Sequence, residues 1–265
     1  MTTTTLPAAT TTARRLPRLG GFSPTYLALE LRRTVRNRRT VIFTLVMPAA
    51  LFLLFGTGHG SAGDRVGAGN VTAYVLVSMA VYGAMLASTS AGATVSIERA
   101  AGWTRQLRLT PLRPGAYVAV KLAVAMVLGG VSIAVAYLVG STSKASMPAH
   151  VWVETALLGW LCSLVFAAFG LFMGYLLPSE NVMQVLGPVL GVLAFAGGLF
   201  VPIDQMGSTF ATLAKFSPTY GVGQIARYPL THGGGLLAAV VNVAVWTAVF
   251  VAGAAWRYRR DTARV

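Results

Sequence analysis

Residues 97–114 read IERAAGWTRQLRLTPLRP and crowd acidic and basic side chains around one tryptophan, between two long apolar stretches. At 100° per residue, Trp103 and Leu107 lie on one side of a helix and Glu98 lies on the other, and two prolines end the helix. Such a short charged helix transmits force only if a soluble partner grips it; a solvated loop whose arginines only fix topology remains open as an alternative. The candidate contact residues are Glu98, Trp103, Arg105, Leu107 and Arg108.

Catalytic patterns are scarce in this chain. Ser141 and Lys144 match S-x-x-K but lack the companion motifs, and the three histidines are isolated from one another. Cys162 is the only cysteine, which excludes disulfide frameworks and cysteine-based metal sites. No G-x-x-x-x-G-K-[ST] occurs. The sequence therefore predicts no catalytic residue, no metal and no cofactor in this chain, and a membrane-embedded enzyme is disfavoured.

The composition is that of a membrane protein. Hydrophobic residues make up 55% of the chain and charged residues 11%, with a mean hydropathy of +0.67, which would leave a soluble domain of 265 residues without a polar surface. The net charge of +14 fits either a nucleic-acid surface or the cytoplasmic loops of a membrane protein, and only its placement along the chain separates the two.

Six uncharged intervals are long enough to cross a hydrocarbon core about 30 Å thick, which takes about 20 helical residues. Backbone groups in lipid must be satisfied within the segment, so we expect an all-α membrane protein with six transmembrane helices. The expected helices lie near 41–58, 71–96, 117–140, 153–177, 182–200 and 236–256.

The distribution of Lys and Arg predicts the orientation. Seventeen of the 21 lie on the side of the chain termini and four on the opposite side, so the positive-inside rule places both termini in the cytoplasm. Because the charge is spread over loops with no base-reading motif, nucleic-acid binding is disfavoured. The expected division is a disordered cytoplasmic tail (1–22), an amphipathic helix (23–40), the six-helix domain (41–257) and a basic cytoplasmic tail (258–265).

The segment SPTYLALELRRTVRNRRT, before the first span, reads as an amphipathic helix with a basic face. Leu27, Leu31 and Val35 form an apolar stripe beside the arginines, so the helix is expected in the cytoplasmic headgroup layer. Topological anchoring alone and an additional docking role both remain open. The interface arginines are Arg32, Arg33, Arg36 and Arg39.

The segment 201–235 is longer than the usual structureless loop of a compact domain, and its apolar residues predict one or two short helices at the outer interface. They are either a gate or a packed surface cap. The gate candidates are Pro202, Phe210, Phe216, Pro218 and Tyr220.

Two small-xxx-small patterns in the fourth and fifth spans allow close helix approach and predict a dimer seam. Their residues are Gly170, Gly174, Gly187 and Gly191. No ionisable residue lies at the middle of a span, since Glu98, Lys121, Glu154 and Glu180 sit near edges within snorkelling reach. An ion-coupled carrier is therefore disfavoured.

The chain resembles the transmembrane permease subunit of ABC-2 type exporters, a family that includes drug and polyketide exporters. The resemblance rests on LELRRTVRNRRTVIFTLVMP at the first span, IERAAGWTRQLRLTPL after the second, PSENVMQ between the fourth and fifth, and GGLFVPIDQMG…LAKFSPTYGVGQIAR after the fifth. It implies that the basic helix is the connecting helix, that Glu98 to Leu109 form the coupling helix, and that short re-entrant helices follow Pro202.

The same resemblance implies the partners and the location. Two ABC ATPase subunits would hold ATP and Mg, and a second permease copy, identical or homologous, would complete the pathway in the lipid bilayer. The expected activity is export of a hydrophobic or amphiphilic compound through the plasma membrane of a bacterium; the excess of Arg over Lys, 18 to 3, favours the bacterial origin. A secondary carrier or channel that works without ATP is the alternative.

Overall fold

The uncharged stretches of the chain form helices, because only a helix satisfies every backbone group within one apolar segment. The structure is a computed structural model that describes residues 24–38, 42, 46–57, 63–102, 106 and 114–263. The elements up to residue 100 are α1 (Pro24–Arg36), α2 (Met47–Thr57), β1 (Arg65–Val66), β2 (Gly69–Asn70), α3 (Val71–Ala93) and α4 (Val95–Ala100). The later helices are α5 (Pro114–Ser141), α6 (Ala149–Cys162), α7 (Leu164–Leu176), α8 (Ser179–Ala196), α9 (Ser208–Ala214), α10 (Pro218–Thr231) and α11 (Leu236–Ala263), with a 3₁₀ turn at Ile203–Gln205.

Within the described residues, five helices are long and apolar enough to cross a membrane. They are Val71–Ala100, Gly115–Ser141, Ala149–Leu176, Ser179–Ala196 and Leu236–Arg260. The shorter Met47–Gly56 falls in the first predicted span, part of which lies outside the described residues. The all-α membrane character is confirmed, whereas the count of six spans stays a prediction.

The last helix is longer than the sequence suggests. It continues to Ala263, past the expected end at residue 256, so most of the basic segment 258–265 extends this helix. Cations are favourable near the carboxyl end of a helix, where the backbone carbonyls carry partial negative charge, so Arg259 and Arg260 suit this extension.

Helix α3 occupies the centre of the bundle and packs against α2, α5, α7 and α10. Its small side chains permit close approach: a Cβ built on Gly92 would lie 2.7 Å from the carbonyl oxygen of Ala167 on α7. The hydroxyl of Thr89 donates to the Phe166 carbonyl at 3.2 Å, which satisfies a polar group inside the bundle. Small and hydroxyl-bearing residues thus place α3 in the interior.

The two ends of the bundle differ in character. We call the end that carries α1, α4 and the last turn of α11 the basic end, and the end that carries the β1–β2 hairpin, residues 142–148 and α10 the far end. At the far end, Asn70 Oδ1 accepts from the backbone N–H of Ala73 at 2.9 Å and of Ser146 at 3.1 Å, and Asn70 Nδ2 donates to the Lys144 carbonyl at 2.7 Å. One amide side chain therefore joins the hairpin, the start of α3 and the loop after α5.

Candidate functional site

The charged segment begins at the end of a spanning helix. Helix α4 continues α3 beyond Thr94 and is followed by a turn in which Gly102 has a φ of 70°. A left-handed residue is typical of a helix end, and α4 ends at Ala100; the coupling helix expected over Glu98 to Leu109 stays a prediction, because most of that range lies outside the described residues. Glu98 belongs to the preceding helix. Four of the predicted contact residues, Trp103, Arg105, Leu107 and Arg108, lie outside the described residues, and their role stays a prediction.

Glu98 is the centre of a buried polar cluster at the basic end. Its side chain is 2% exposed, and its Oε1 accepts a hydrogen bond from Lys121 Nζ and one from Arg33 Nη1 at 3.2 Å. Its Oε2 accepts from the Tyr117 hydroxyl at 2.5 Å. Lys121 lies one turn after Tyr117 on α5, so one face of α5 supplies both donors.

Lys121 joins this carboxylate to a second one. Its side chain is 1% exposed, and its Nζ also donates to Glu30 Oε2 on α1 at 2.6 Å. Arg33, one turn after Glu30 on the same helix, lies 3.8 Å from Glu30 Oε1 and has a side chain that is 60% exposed. The root cluster, defined as Glu30, Arg33, Glu98, Tyr117 and Lys121, thus ties α1, α4 and α5 together.

This arrangement corrects one expectation. Glu98 and Lys121 were expected to reach the polar interface from the edges of their spans, yet both are buried and paired with each other. Glu154 and Glu180, the other two edge residues, are exposed. Pairing explains the difference, because a buried charge persists only where an opposite charge and hydrogen bonds replace its water.

The sequence analysis missed Glu30, Tyr117 and Lys121 as site residues. Glu30 is the only acidic residue of the otherwise basic α1 and borders its apolar stripe, and it is the one buried residue of that helix. Tyr117 and Lys121 stand four residues apart, the spacing that places two side chains on one helix face. These two signals could have identified the cluster.

Arg99 fixes α4 on its other side. Its Nη1 donates to the carbonyl oxygens of Gly174 at 3.2 Å and Tyr175 at 2.9 Å, in the last turns of α7, and its guanidinium lies 5.6 Å from the centre of the Tyr175 ring. A cation at the carboxyl end of a helix stabilises carbonyls that have no helical partner. Glu98 and Arg99 therefore hold α4 to three other helices.

A cavity of about 380 Å³ lies beside the cluster, between α1 and the end of α4. Glu30, Arg33 and Glu98 form its polar wall, and Tyr26, Leu29 and Ala101 line the rest. Within the described residues, no group of three or more His, Cys, Asp or Glu could hold a metal ion. The role that this arrangement suits is mechanical, because its fixed charges join helices next to the charged segment.

The interface arginines of α1 take different positions. Arg32 and Arg36 are exposed, as expected of a helix in the headgroup layer, and Arg39 lies outside the described residues. Arg33 contacts the root cluster. Because one arginine of this helix reaches a buried carboxylate, α1 is attached to the bundle, and its place in the headgroup layer stays a prediction.

The gate candidates do not converge on one point. Phe216 is 72% exposed, while Pro218 is buried at the start of α10. Phe210 lies 6.4 Å from Phe195, ring centre to ring centre, at the end of α8. Pro202 and Tyr220 are half-buried. Short helices follow residue 201 as expected, and a gating role for these residues stays a prediction.

The two glycine pairs have different surroundings. A Cβ on Gly170 would lie 2.2 Å from the Thr89 carbonyl oxygen, and one on Gly174 would lie 3.1 Å from the carbonyl oxygen of residue 93, so this pair packs against α3 of the same chain. A Cβ on Gly187 or Gly191 would meet nothing within 4 Å. Packing within the chain accounts for the first pair, and the predicted dimer seam rests on the second.

Comparison with known proteins shows the family of this chain. The ABC-2 type transporter family model matches residues 25–230, a range that includes every residue of the root cluster. A protein of Bacillus subtilis (strain 168) named "Putative transport permease YvfS" is 27% identical over 208 residues, which cover 77% of this chain and 83% of that protein.

Proposed function

The chain belongs to the ABC-2 type transporter family, and from that premise we propose that it is the membrane-spanning subunit of an ATP-driven exporter. Both termini face the cytoplasm of a bacterial cell in this proposal, so the basic end is the cytoplasmic end. The residues that follow the buried Glu98, up to Leu109, contact a separate ABC ATPase, and this chain contributes no nucleotide site.

The attachment of α4 supports this proposal most directly. The charged segment continues from Glu98 and Arg99, which are fixed to α5 by a buried ion pair, to α1 by an ion pair with the exposed Arg33, and to α7 by carbonyl contacts. A push on the segment therefore moves several helices together. An ordinary solvated loop needs no such attachment.

The other subunits of the exporter, the dimer seam and the cargo are also proposals. Two ATPase subunits bind ATP and Mg, and a second permease copy, identical or homologous, completes the pathway. We place the seam on the face of α8 that carries Gly187 and Gly191, where Met183, one turn before Gly187, is exposed. The cargo is a hydrophobic or amphiphilic compound such as a drug, an antibiotic or a lipid-like molecule.

A secondary carrier remains the second candidate, because one argument against it has weakened. Ion-coupled carriers need buried titratable groups, and Glu30 and Glu98 are buried. Both carboxylates, however, are paired with Lys121 inside the chain, at the end of the bundle and beside α1. Their contacts suit a joint between helices better than a site for a transported ion.

Co-purification with the ABC ATPase encoded beside this chain tests the proposal. We expect the wild-type permease to retain the ATPase in mild detergent, and Arg105→Glu to lose it, because the substitution reverses a charge in the proposed contact surface. Trp103→Ala is expected to remain in the membrane while ATP hydrolysis no longer drives transport.

The matched control reverses a charge at the far end. Lys215→Glu changes an exposed residue there and should retain the ATPase. If the wild type retains no ATPase, the exporter proposal fails and transport driven by ion gradients is measured next. If Arg105→Glu and Lys215→Glu retain it equally, the contact surface lies elsewhere.

A further inference from the structure

Arg227 is buried at the far end and joins its own helix, α10, to two other elements, α3 and the turn after α8. Its side chain lies on α10 and the residue is 3% exposed. Its Nη1 donates to Ser78 Oγ on α3 and to the Gly198 carbonyl after α8, each at 3.0 Å, and its guanidinium lies 4.8 Å from the centre of the Tyr74 ring. The sequence analysis counted this residue among the four Lys and Arg on the side opposite the termini and took the charge to be spread over loops, whereas the structure places Arg227 buried on a helix.

The guanidinium lies well inside the far end. Ser78 is seven residues after Val71, the first residue of α3, which corresponds to about 10 Å along a helix that rises 1.5 Å per residue. A charged side chain at such a depth in a membrane protein is costly, and residues of this kind usually serve the transport pathway or hold it in place.

The end of α8 and the start of α10 pack as one unit. A Cβ on Gly197 would lie 2.4 Å from Thr219 Cβ and 2.8 Å from the Tyr220 backbone nitrogen, so the two backbones are in direct contact there. A Cβ on Gly223 would lie 3.0 Å from Arg227 Nη2, so the glycine leaves room for the guanidinium. Arg227 reinforces this unit through the Gly198 carbonyl.

The bond to Ser78 connects the unit to a different body. Ser78 belongs to α3, which continues through α4 as one helical segment of 30 residues, Val71–Ala100. The other end of that segment carries Glu98 and Arg99. One helical rod therefore joins the root cluster to the hydroxyl that Arg227 holds.

We propose that Arg227 is a positioning residue of the far-end gate: it holds α10 and the end of α8 against α3 in the closed state, and its bond to Ser78 breaks on opening. The opening step rests on the proposed transport function. The closed packing does not depend on that function. Movement of the rod at the root cluster changes the position of Ser78, while the Gly198 contact moves with α10.

The reactivity of one buried cysteine tests the closed packing. Ala226 is fully buried on α10, next to Arg227, and Cys162, the single native cysteine, is replaced by serine. In nanodiscs, where both faces are accessible, Ala226→Cys should react slowly with a charged maleimide. Adding Arg227→Gln should raise the rate about tenfold or more, because hydrogen bonds to a charged group are lost.

Two further variants keep this test decisive. Ser78→Ala removes one acceptor and should raise the rate by a smaller factor, whereas Lys215→Gln, an exposed far-end cation, should leave it unchanged. Equal rates with and without Arg227→Gln overturn the proposal. If Arg227→Gln does not fold, Ser78→Ala decides, and an unchanged rate in that variant overturns the proposal.

A second readout separates gating from folding alone. In the complex with its ATPase, added ATP should raise the reactivity of the cysteine at 226 when Arg227 is present and add nothing further in Arg227→Gln. An equal ATP-dependent increase in both proteins overturns the gating step. Failure of the ATPase to co-purify would overturn the proposed function while leaving the nanodisc result intact.

Discussion

Among the described residues, each end of the bundle buries one cation, and the two cations are held in different ways. Lys121 at the basic end contacts two carboxylates, whereas Arg227 at the far end donates to a hydroxyl and a backbone carbonyl and lies over a tyrosine ring. An ammonium is a compact point charge that fits between two anions, and a guanidinium is a planar fork that reaches separate acceptors and stacks on rings. The geometry of each site matches its cation.

The difference also indicates how firmly each end is fixed. Both cations make charge-assisted hydrogen bonds, but removal of one member of a buried ion pair leaves the opposite charges buried and unpaired, whereas a serine hydroxyl carries no charge. A contact to a serine hydroxyl exchanges more easily. The basic end therefore has the properties of a permanent joint and the far end those of a contact that can open.

Removing the charge of Lys121 should have the largest effect on this comparison. Lys121→Met leaves Glu30 and Glu98 buried without their shared cation, and we expect a loss of about 3 to 5 kcal/mol of stability. Thermal unfolding of the protein in detergent measures it.

A triple variant is the matched control for that measurement. Glu30→Gln, Glu98→Gln and Lys121→Met together remove the stranded charges and should recover a large part of the loss. If Lys121→Met alone unfolds at the wild-type temperature, the basic end is not a joint of the kind described.

Disrupting the backbone packing between the two ends should have the next largest effect on stability. Its size is a reference for the effects at each end. Gly170→Leu forces a side chain against the Thr89 carbonyl oxygen and should lower stability by about 1 to 3 kcal/mol or more. Gly187→Leu faces open space and should leave unfolding unchanged while weakening self-association of the permease if the seam lies on α8. Unfolding and sedimentation in detergent distinguish the two effects.

Exchanging the two cation types sharpens the comparison without changing net charge. Lys121→Arg places a larger side chain where the native one is 1% exposed, and Arg227→Lys leaves one of the two acceptors without a donor. Each exchange should therefore lower the free energy of unfolding by about 1 to 3 kcal/mol. Unfolding temperatures equal to wild type in both exchanges would mean that charge alone, rather than the shape of the cation, matters at each end.

The smallest effect is expected at the exposed edge of the root cluster. Arg33 has a side chain that is 60% exposed, so Arg33→Ala should cost less than about 1 kcal/mol, and the cost should shrink as salt is added. Unfolding in low and high salt measures this. A cost that salt does not change would place Arg33 among the buried members of the cluster.

The membrane class and the approximate positions of five apolar helices could be predicted from the sequence, because uncharged length is a local property. Hydropathy does not rank those helices by burial: α3 is largely buried and α11 is mostly exposed, although both are apolar enough to span. Burial follows side-chain size, since Gly92 and Thr89 let neighbouring backbones approach while the valines of α11 do not.

The root cluster and the Arg227 contacts could not be read from local pattern. Glu30 and Lys121 are 91 positions apart and Ser78 and Arg227 are 149 apart, so only tertiary packing brings them together. Charge at the edge of a span is compatible with both snorkelling and pairing. Choosing pairing for Lys121 requires a carboxylate from another helix.

The sequence distance between Glu30 and Lys121 also affects biogenesis. A ribosome that adds about 5 to 20 residues per second needs about 5 to 20 seconds to travel the 91 positions between them. During that interval α1 has been made but Glu30 has no lysine to pair with, so the helix cannot yet be attached to the bundle through this ion pair. Its final attachment is a late event that reports when α5 has been inserted.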